Sequence, residues 1–332
     1  MNTLSKEPRF SPETASWAEV DEEDAGQRID NFLVRTLKGV PRSHLYRLLR
    51  TGQVRVNSRR VDATYRLQAG DRVRLPPVRG AAPSRRRGDS AGTQAARLSA
   101  CTLLEDNVLL VIDKPTGVAA HGGSGISRGV IEQLRAERAE LRFLELVHRL
   151  DRDTSGVLLL AKKRSALTNL HAQLRAGEMQ KTYSVLVRGR WVNATQRVQL
   201  PLSKYVTPAG ERRIGVSDAG VLSQTVFRRV RSLPGYTLLE AELLTGRTHQ
   251  IRVQLAHIGF PIAGDEKYGD FALNKALPRA GLRRMFLHAA RVQFRHPQTD
   301  MTTVVEAPLP ADLRRFMDSL ETSRSPGAQI DG

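Results

Sequence analysis

Two hydrophobic periodicities divide the chain. Over residues 26–76 apolar side chains first recur at helical spacing and then alternate. Ile29, Leu33 and Leu37 fall at i, i+4 and i+8, which predicts a helix over Ile29–Leu37 with one apolar face. A second helix is predicted over Ser43–Arg50, with Ser43 as N-cap, Pro41 just upstream and Gly52 as a left-handed stop. Val54-Arg55-Val56-Asn57 and, after the Gly70-Asp71 turn, Arg72-Val73-Arg74-Leu75 alternate as short strands with arginines outward. Residues 77–98 carry Pro77, Pro83 and Arg85, Arg86 and Arg87 without periodicity, as a flexible basic linker would. From residue 99 to about 320 the elements lengthen into a second domain. Val108–Asp113 is a predicted strand, followed by the turn Lys114-Pro115-Thr116-Gly117. Ser165–Gly177 is a predicted helix with Leu167, Leu170 and Leu174 on one face, and Lys181–Val187 a strand. Thr248 is the predicted N-cap of a helix with Ile251, Leu255 and Ile258 along one side.

One break in this pattern carries chemistry. Leu144–Val147 and Val157–Ala161 both read as buried strands, and between them runs His148-Arg149-Leu150-Asp151-Arg152-Asp153-Thr154-Ser155-Gly156. A loop that places two carboxylates, two guanidiniums and an imidazole at a strand end is positioned for solvent or substrate. The residues alone also fit a surface ion-pair loop.

Composition narrows the partners. Lys+Arg 52 against Asp+Glu 34 gives a net charge of +18 over 332 residues, which points to a polyanion, nucleic acid or an acidic membrane surface. The charge is uneven: residues 26–80 hold 13 Lys/Arg against 3 Asp/Glu, whereas residues 1–25 hold 2 against 7 and read as a flexible acidic leader. No run of 18 apolar residues and no signal-like N-terminus is visible, so neither membrane span nor secretion is expected and the cytosol is the expected compartment. Cys101 stands alone, which excludes an internal disulfide and a Cys-rich zinc site. His121-Gly122-Gly123-Ser124-Gly125 lacks the spacing of a phosphate loop or dinucleotide site. His148 and His249 lack zinc-ligand spacing and read as orienting or packed histidines. The segment 321–332 reads as a disordered tail.

The loop His148–Gly156 matches the signature of the RluA family of RNA pseudouridine synthases. Leu244-Thr245-Gly246-Arg247-Thr248-His249-Gln250-Ile251-Arg252 and Gly264-Asp265-Glu266-Lys267-Tyr268-Gly269 resemble that family's other two blocks, in the right order. The resemblance covers about residues 20 to 310. Pro41-Arg42-Ser43, Gly52–Asn57 and Ala69-Gly70-Asp71 are similar to the S-four-like RNA-binding domain, which presses a helix and a turn against folded RNA. The resemblance implies an α+β chain: an S-four-like module over residues 26–76, then a catalytic domain over 99–320 with a mixed, mainly antiparallel sheet flanked by helices and loops. Arg42, Arg47, Arg50, Arg55, Arg59 and Arg60 would form the RNA-binding surface.

It implies further a cofactor-independent isomerisation of uridine, with no metal. Asp151 would be catalytic, acting on the ribose either as nucleophile at C1′ or as base, and Asp153 structural, accepting backbone N–H bonds. Arg247, near a helix N-terminus, would pair with Asp151 and keep it ionised. Arg149 would brace the stack from which the uridine is extruded, with Tyr183 facing the flipped base and Ile251 packing beside it. The implied partner is 23S ribosomal RNA, free or in an assembling large subunit, with no membrane and no obligate protein partner. Gln254 and Phe260 depart from the family, which usually has histidine at both positions. Within the family, the resemblance leaves a D-type synthase acting on the same RNA as the runner-up, and two rivals from other classes fare worse. A non-catalytic assembly factor has no need of Asp151, Tyr183 and Arg247 together, and an aspartic protease needs a second copy of its motif, which Asp153-Thr154-Ser155-Gly156 lacks.

Overall fold

The computed structural model describes residues 14–22, 24–37, 40–77, 97–122 and 128–322. Most of the expected linker, the Gly-rich stretch after Gly122 and the tail beyond residue 322 lie outside the described residues. The chain divides between Ala95 and Ala96 into two compact units.

The first unit holds β1 (Ser16–Glu19), α1 (Ile29–Thr36), α2 (Arg42–Arg50), β2 (Arg55–Val56) and β3 (Arg72–Leu75). Its three strands pair antiparallel in the order β1-β3-β2. Ile29, Leu33, Leu45, Leu48, Val54 and Val73 make one core, so the predicted apolar faces of both helices point inward. Each such fully buried side chain contributes about 1.5–3 kcal/mol. Two expectations are corrected here. Ser16–Glu19 is a strand and not a loose leader: it covers the open edge of β3, buries Ala18, and lays Trp17 under the Arg72 guanidinium at 5.2 Å. The N-cap of α2 is Pro41 and the helix starts at Arg42, so Ser43 lies within its first turn. Gly52 does take the left-handed conformation, at φ +69°, and ends α2.

The second unit opens with a 3₁₀ turn at Leu98–Cys101 and continues through β4 (Thr102–Glu105), β5 (Leu109–Lys114), α3 (Val130–Glu137), β6 (Glu145–Leu146), β7 (Ser155–Ala161), α4 (Arg164–Ala176) and β8 (Gln180–Arg188). There follow β9 (Thr195–Val206), β10 (Arg212–Val216), β11 (Val221–Leu233), β12 (Tyr236–Leu243), α5 (Gln250–His257), α6 (Phe271–Ala276), β13 (Leu287–Arg295), β14 (Thr302–Glu306) and α7 (Ala311–Thr322). Among the described residues these strands form an 11-stranded sheet, ordered β10-β9-β11-β12-β8-β13-β7-β5-β4, with β14 on β13 and β6 on β7. The β7–β13 pair is parallel and the other pairs are antiparallel, so the sheet is mixed and mainly antiparallel.

β7 explains why its sequence is apolar without alternation: both faces are covered. Leu158 and Leu160 pack with Val130, Leu134 and Ile251 on one side, while Val157, Leu159 and Ala161 pack with Leu167, Leu170 and Phe294 on the other. Gly156, at φ +111°, is where β7 meets β13, and a side chain there would collide with the backbone of Ala289. Three helix boundaries differ from expectation. α4 starts at Arg164, one residue before the expected Ser165, with Lys163 as N-cap, and α5 starts at Gln250 with His249 as N-cap in place of Thr248. Glu321 and Thr322, expected in the tail, close α7, where Glu321 meets Arg231 at 2.6 Å.

Candidate active site

The charged loop leaves β6, crosses the end of the sheet and returns as β7, so Asp151 is anchored by strands on both sides. Within the loop the Asp151 carbonyl accepts the Thr154 N–H at 3.2 Å. Lys114, at the end of β5, lies beneath it and is 0 % exposed. Its ammonium donates to the carbonyls of Pro115 and Val118 at 2.8 Å and of Arg152 at 3.1 Å, tying the turn after β5 to the loop. Burial pushes this lysine down to about 7, against the pull of Asp153. His148 is held neutral: burial, with Lys181 nearby, pushes it to about 3, and its Nε2 accepts the Leu159 N–H at 3.2 Å. Among the described residues the Asp153 carboxylate takes none of the expected backbone bonds; it pairs at the surface with Arg152 Nε at 3.1 Å.

The guanidinium beside Asp151 belongs to Arg252. Arg252 Nη1 lies 3.1 Å from Asp151 Oδ2, while its Nε and Nη2 make a two-bond fork to Asp265 at 2.8 Å each. Arg247, expected in that role, is exposed on the loop before α5, where its backbone N–H donates to Gln250 Oε1 at 3.0 Å. Arg252 sits within the first turn of α5 and is buried, whereas Arg247 precedes the helix and stays exposed.

Asp265 is 1 % exposed and also accepts the Lys267 and Tyr268 N–H groups at 2.9 and 3.0 Å. Burial alone would raise its carboxyl, but Arg252 and the two N–H bonds outweigh it and hold it below the ordinary range. For Arg252 burial likewise opposes the charge and the two carboxylates outweigh it, so it stays ionised. His249 completes the set in a left-handed backbone conformation, φ +54°, which costs on the order of 1 kcal/mol for a non-glycine residue. That turn carries its Nε2 to 3.8 Å from Asp151 Oδ2. Its Nδ1 lies 2.8 Å from the Tyr268 hydroxyl, which also accepts the Ile214 N–H at 3.0 Å. A neutral ring satisfies both contacts when Tyr268 donates to Nδ1, leaving the Nε2 proton toward Asp151. Burial keeps the ring neutral, pushing His249 down against the pull of Asp151.

Asp151 opens onto a cavity of about 710 Å³. Tyr183, Ile251 and Leu287, each almost fully buried, form its apolar wall, and Arg149, Arg175 and Arg247, all exposed, stand around its mouth. Burial, reinforced by the negative charge of Asp151, pushes the Tyr183 hydroxyl well up, so it stays protonated. The structure thus brings together Asp151, Tyr183 and Ile251, and places both Arg149 and Arg247 at the rim. On the first unit, Arg47, Arg50, Arg59 and Arg60 line a second cavity of about 1210 Å³. Arg59 and Arg60 are presented by a tight turn in which Asn57 and Ser58 both take positive φ. Arg55 is exposed beside it, donating Nε to the Gly52 carbonyl at 3.1 Å, and Arg42 opens α2.

A model of RNA pseudouridylate synthase matches residues 108–257, which span the loop, Tyr183 and all of α5. The chain is 52% identical to ribosomal large subunit pseudouridine synthase C of Yersinia pestis over 91% of its length and 94% of the relative's. The chain belongs to the RNA pseudouridylate synthase family. The protein of the same name in Escherichia coli K12 is 51% identical over 91% of this synthase and 95% of that relative. An S4 domain model matches residues 27–73, the first unit's two helices and its basic turn. The fold is shared with human RNA pseudouridylate synthase domain containing 4, at a TM-score of 0.55 and 24% identity over 67% of this chain and 94% of that one.

Several residues of the synthase escape a reading of the sequence. Arg252 and Asp265 have a signal, since each stands in one of the two further blocks that resemble the family's. Lys114 has none, because only the fold shows it buried. The two departures from the family are structural in effect. Gln254, 0 % exposed, accepts the Thr225 hydroxyl at 2.6 Å and donates to the Ser223 hydroxyl at 3.0 Å, pinning α5 to β11. Phe260 packs against Trp191 with ring centroids 4.8 Å apart.

Proposed function

We propose that this synthase isomerises specific uridines of 23S ribosomal RNA to pseudouridine, with Asp151 as the catalytic carboxylate. The observation that carries this reading is the Asp151 carboxylate held by Arg252 at 3.1 Å at the floor of a cavity walled by Tyr183 and Ile251. The RNA class rests on the relatives named ribosomal large subunit pseudouridine synthase C and on the S4 domain with its arginine-lined cavity.

Three of the site's features meet the demands of the reaction. A base inside folded RNA must leave its stack to enter a cavity, and the exposed Arg149 at the mouth supplies a planar cation that can stack in the vacated space. Once inside, the uracil lies against the flat, un-ionised Tyr183 and the Ile251 side chain. The N1–C1′ bond then breaks, with its electron pair passing to the base. Asp151 either forms a bond to C1′ or removes the C2′ proton as a C1′–C2′ double bond forms. After the base turns, C5 bonds to C1′ as the Asp151–C1′ bond breaks or as Asp151 returns the proton to C2′. The C5 hydrogen is then lost as a proton and N1 gains one, so the net change is an isomerisation. Arg252 neutralises Asp151 in the resting site while its second carboxylate partner, Asp265, keeps it in place.

The test is single-turnover conversion of a 23S transcript by purified protein and by Asp151→Asn. The expected result is loss of at least about 10³-fold in rate, with RNA affinity within about twofold of wild type. Conversion by Asp151→Asn within about tenfold of wild type would remove Asp151 from the chemistry.

A further inference from the structure

We infer that Lys181 is the cation that receives the negative charge of the departing uracil. This deepens the reading of the site given above and rests on it.

Lys181 and Tyr183 stand two residues apart on β8, so their side chains leave the same face of the strand, and both line the cavity that holds Asp151. Among the described residues no carboxylate comes within 4.0 Å of the Lys181 ammonium, and no hydrogen bond from it is found. The main chain passes close at Gly246, where a Cβ would lie 3.3 Å from Nζ, so a side chain at 246 would crowd the ammonium. The cavity's other cations are differently disposed. Arg252 is committed to two carboxylates, and Arg149, Arg175 and Arg247 stand at the exposed mouth, where water screens them. Lys181 is the inner cation left without a counter-charge, and burial pushes its pKa down.

A half-buried ammonium without a counter-charge is costly to keep, and the reaction supplies the missing anion. When N1–C1′ breaks, the electron pair moves onto the base and spreads over its two carbonyl oxygens. A donor aimed at that developing charge stabilises the transition state more than the neutral ground state, an effect worth about 10²–10³ in rate for a single donor. Lys181 donates a hydrogen bond to a carbonyl oxygen of the base and stays protonated throughout, so the proton balance of the isomerisation is unchanged. RNA phosphates have the rim arginines, which can reach the backbone without entering the cavity.

The pH dependence follows from the groups that face Lys181. From the loop, His148 is neutral down to about 3. From α5 and the turn before it, His249 is held neutral and Arg252 and Arg247 are cationic; Asp151 supplies the carboxylate, and Tyr183, on the same strand, is pushed up and keeps its proton. Lys181 is therefore the cavity-lining group whose proton burial loosens. Lys114, pushed down to about 7 beneath the loop, is the same in wild type and in Lys181 variants and contributes alike to each profile.

The experiment compares wild type, Lys181→Met and Lys181→Arg in single-turnover conversion of a 23S transcript at saturating enzyme, across pH 6–10. RNA dissociation constants, their salt dependence and thermal unfolding are measured in parallel. Lys181→Met should convert at least about tenfold more slowly with RNA affinity within about twofold. Wild type should lose rate on the alkaline side, and Lys181→Arg should keep part of the rate without that loss. If Lys181→Met converts within about twofold of wild type, or is weakened only in affinity with a shallower salt slope, Lys181 is a phosphate contact or a bystander and the inference fails. If Lys181→Met does not fold, the Lys181→Arg profile decides: an alkaline fall identical to wild type overturns the inference. Failure of the wild-type protein itself to convert the transcript would instead strike the proposed substrate.

Discussion

Arg252 and the arginines of the S4 domain carry the same group in opposite circumstances. Arg252 is 7% exposed and every one of its charged contacts is taken by Asp151 and Asp265. Arg47, Arg50 and Arg59 are exposed around an open cavity, and among the described residues the Arg47 side chain makes only a weak 3.4 Å contact to His44. A guanidinium committed to two carboxylates can position a reacting group but has nothing left for RNA. An exposed one positions nothing within the protein and keeps its charge for phosphate. On the proposed reading, positive charge in this chain does two separate jobs, and the presence or absence of a buried carboxylate partner tells which.

The sharpest way to break the contrast is Arg252→Met. It would strand Asp265 as an uncompensated buried carboxylate, so stability should fall by about 3–5 kcal/mol in urea unfolding. Conversion should fall at least about 10²-fold even where the variant is folded. Arg252→Lys keeps the charge but not the fork, and should recover stability more than rate.

Removing charge from the S4 side should do the reverse. With Arg47, Arg50 and Arg59 all changed to Gln, RNA affinity should drop and the slope of log K against log salt should flatten by about 0.9 for each lost phosphate contact. The rate at saturating RNA should stay within about twofold, and a fall in that rate without a change in salt slope would contradict the division of labour.

Arg247→Met sharpens the comparison inside the catalytic unit. As a rim residue not paired with Asp151, Arg247 should cost about threefold to tenfold in RNA affinity and leave the saturated rate nearly unchanged. An effect as large as that of Arg252→Met would restore it to the role first expected of it.

The smallest effect concerns pH. His148 falls from its ordinary 6.5 to about 3 in the folded chain, so between those values the unfolded chain takes up a proton that the folded one refuses. Its contribution to stability is whole above pH 6.5 and is lost as pH falls toward 3. Replacing His148 by Asn should narrow the stability difference between pH 7.5 and pH 5 by on the order of 1 kcal/mol in urea unfolding.

Local patterns in the sequence carried a large part of this architecture. The apolar faces of α1 and α2, the stop at Gly52 and the run through β7 follow from periodicity, because each is settled within a few residues. The loop holding Asp151 was legible for the same reason, since charge packed so densely between two buried strands must surface at the sheet's end. What was not legible depends on distance. Asp151 and Arg252 are 101 residues apart, and that the buried Arg252 of α5 and not Arg247 ahead of it reaches the carboxylate is settled only in the fold. Thr248 is a better N-cap by composition than His249, yet the chain accepts strain at His249 to turn the ring toward Asp151. Ser16–Glu19 lies in an acidic stretch with no visible period, and its pairing with β3 closes a sheet edge that only the fold exposes.

The role of Asp151 and the identity of the substrate are both decided by a map of pseudouridine across ribosomal RNA from cells lacking this gene, complemented with wild type or with Asp151→Asn. Discrete large-subunit uridines should lose the modification in the deletion strain. Wild type should restore all of them, and Asp151→Asn none although it is folded and expressed. Restoration by Asp151→Asn would contradict the assignment of the catalytic carboxylate, and an unchanged map in the deletion strain would contradict 23S ribosomal RNA as the substrate.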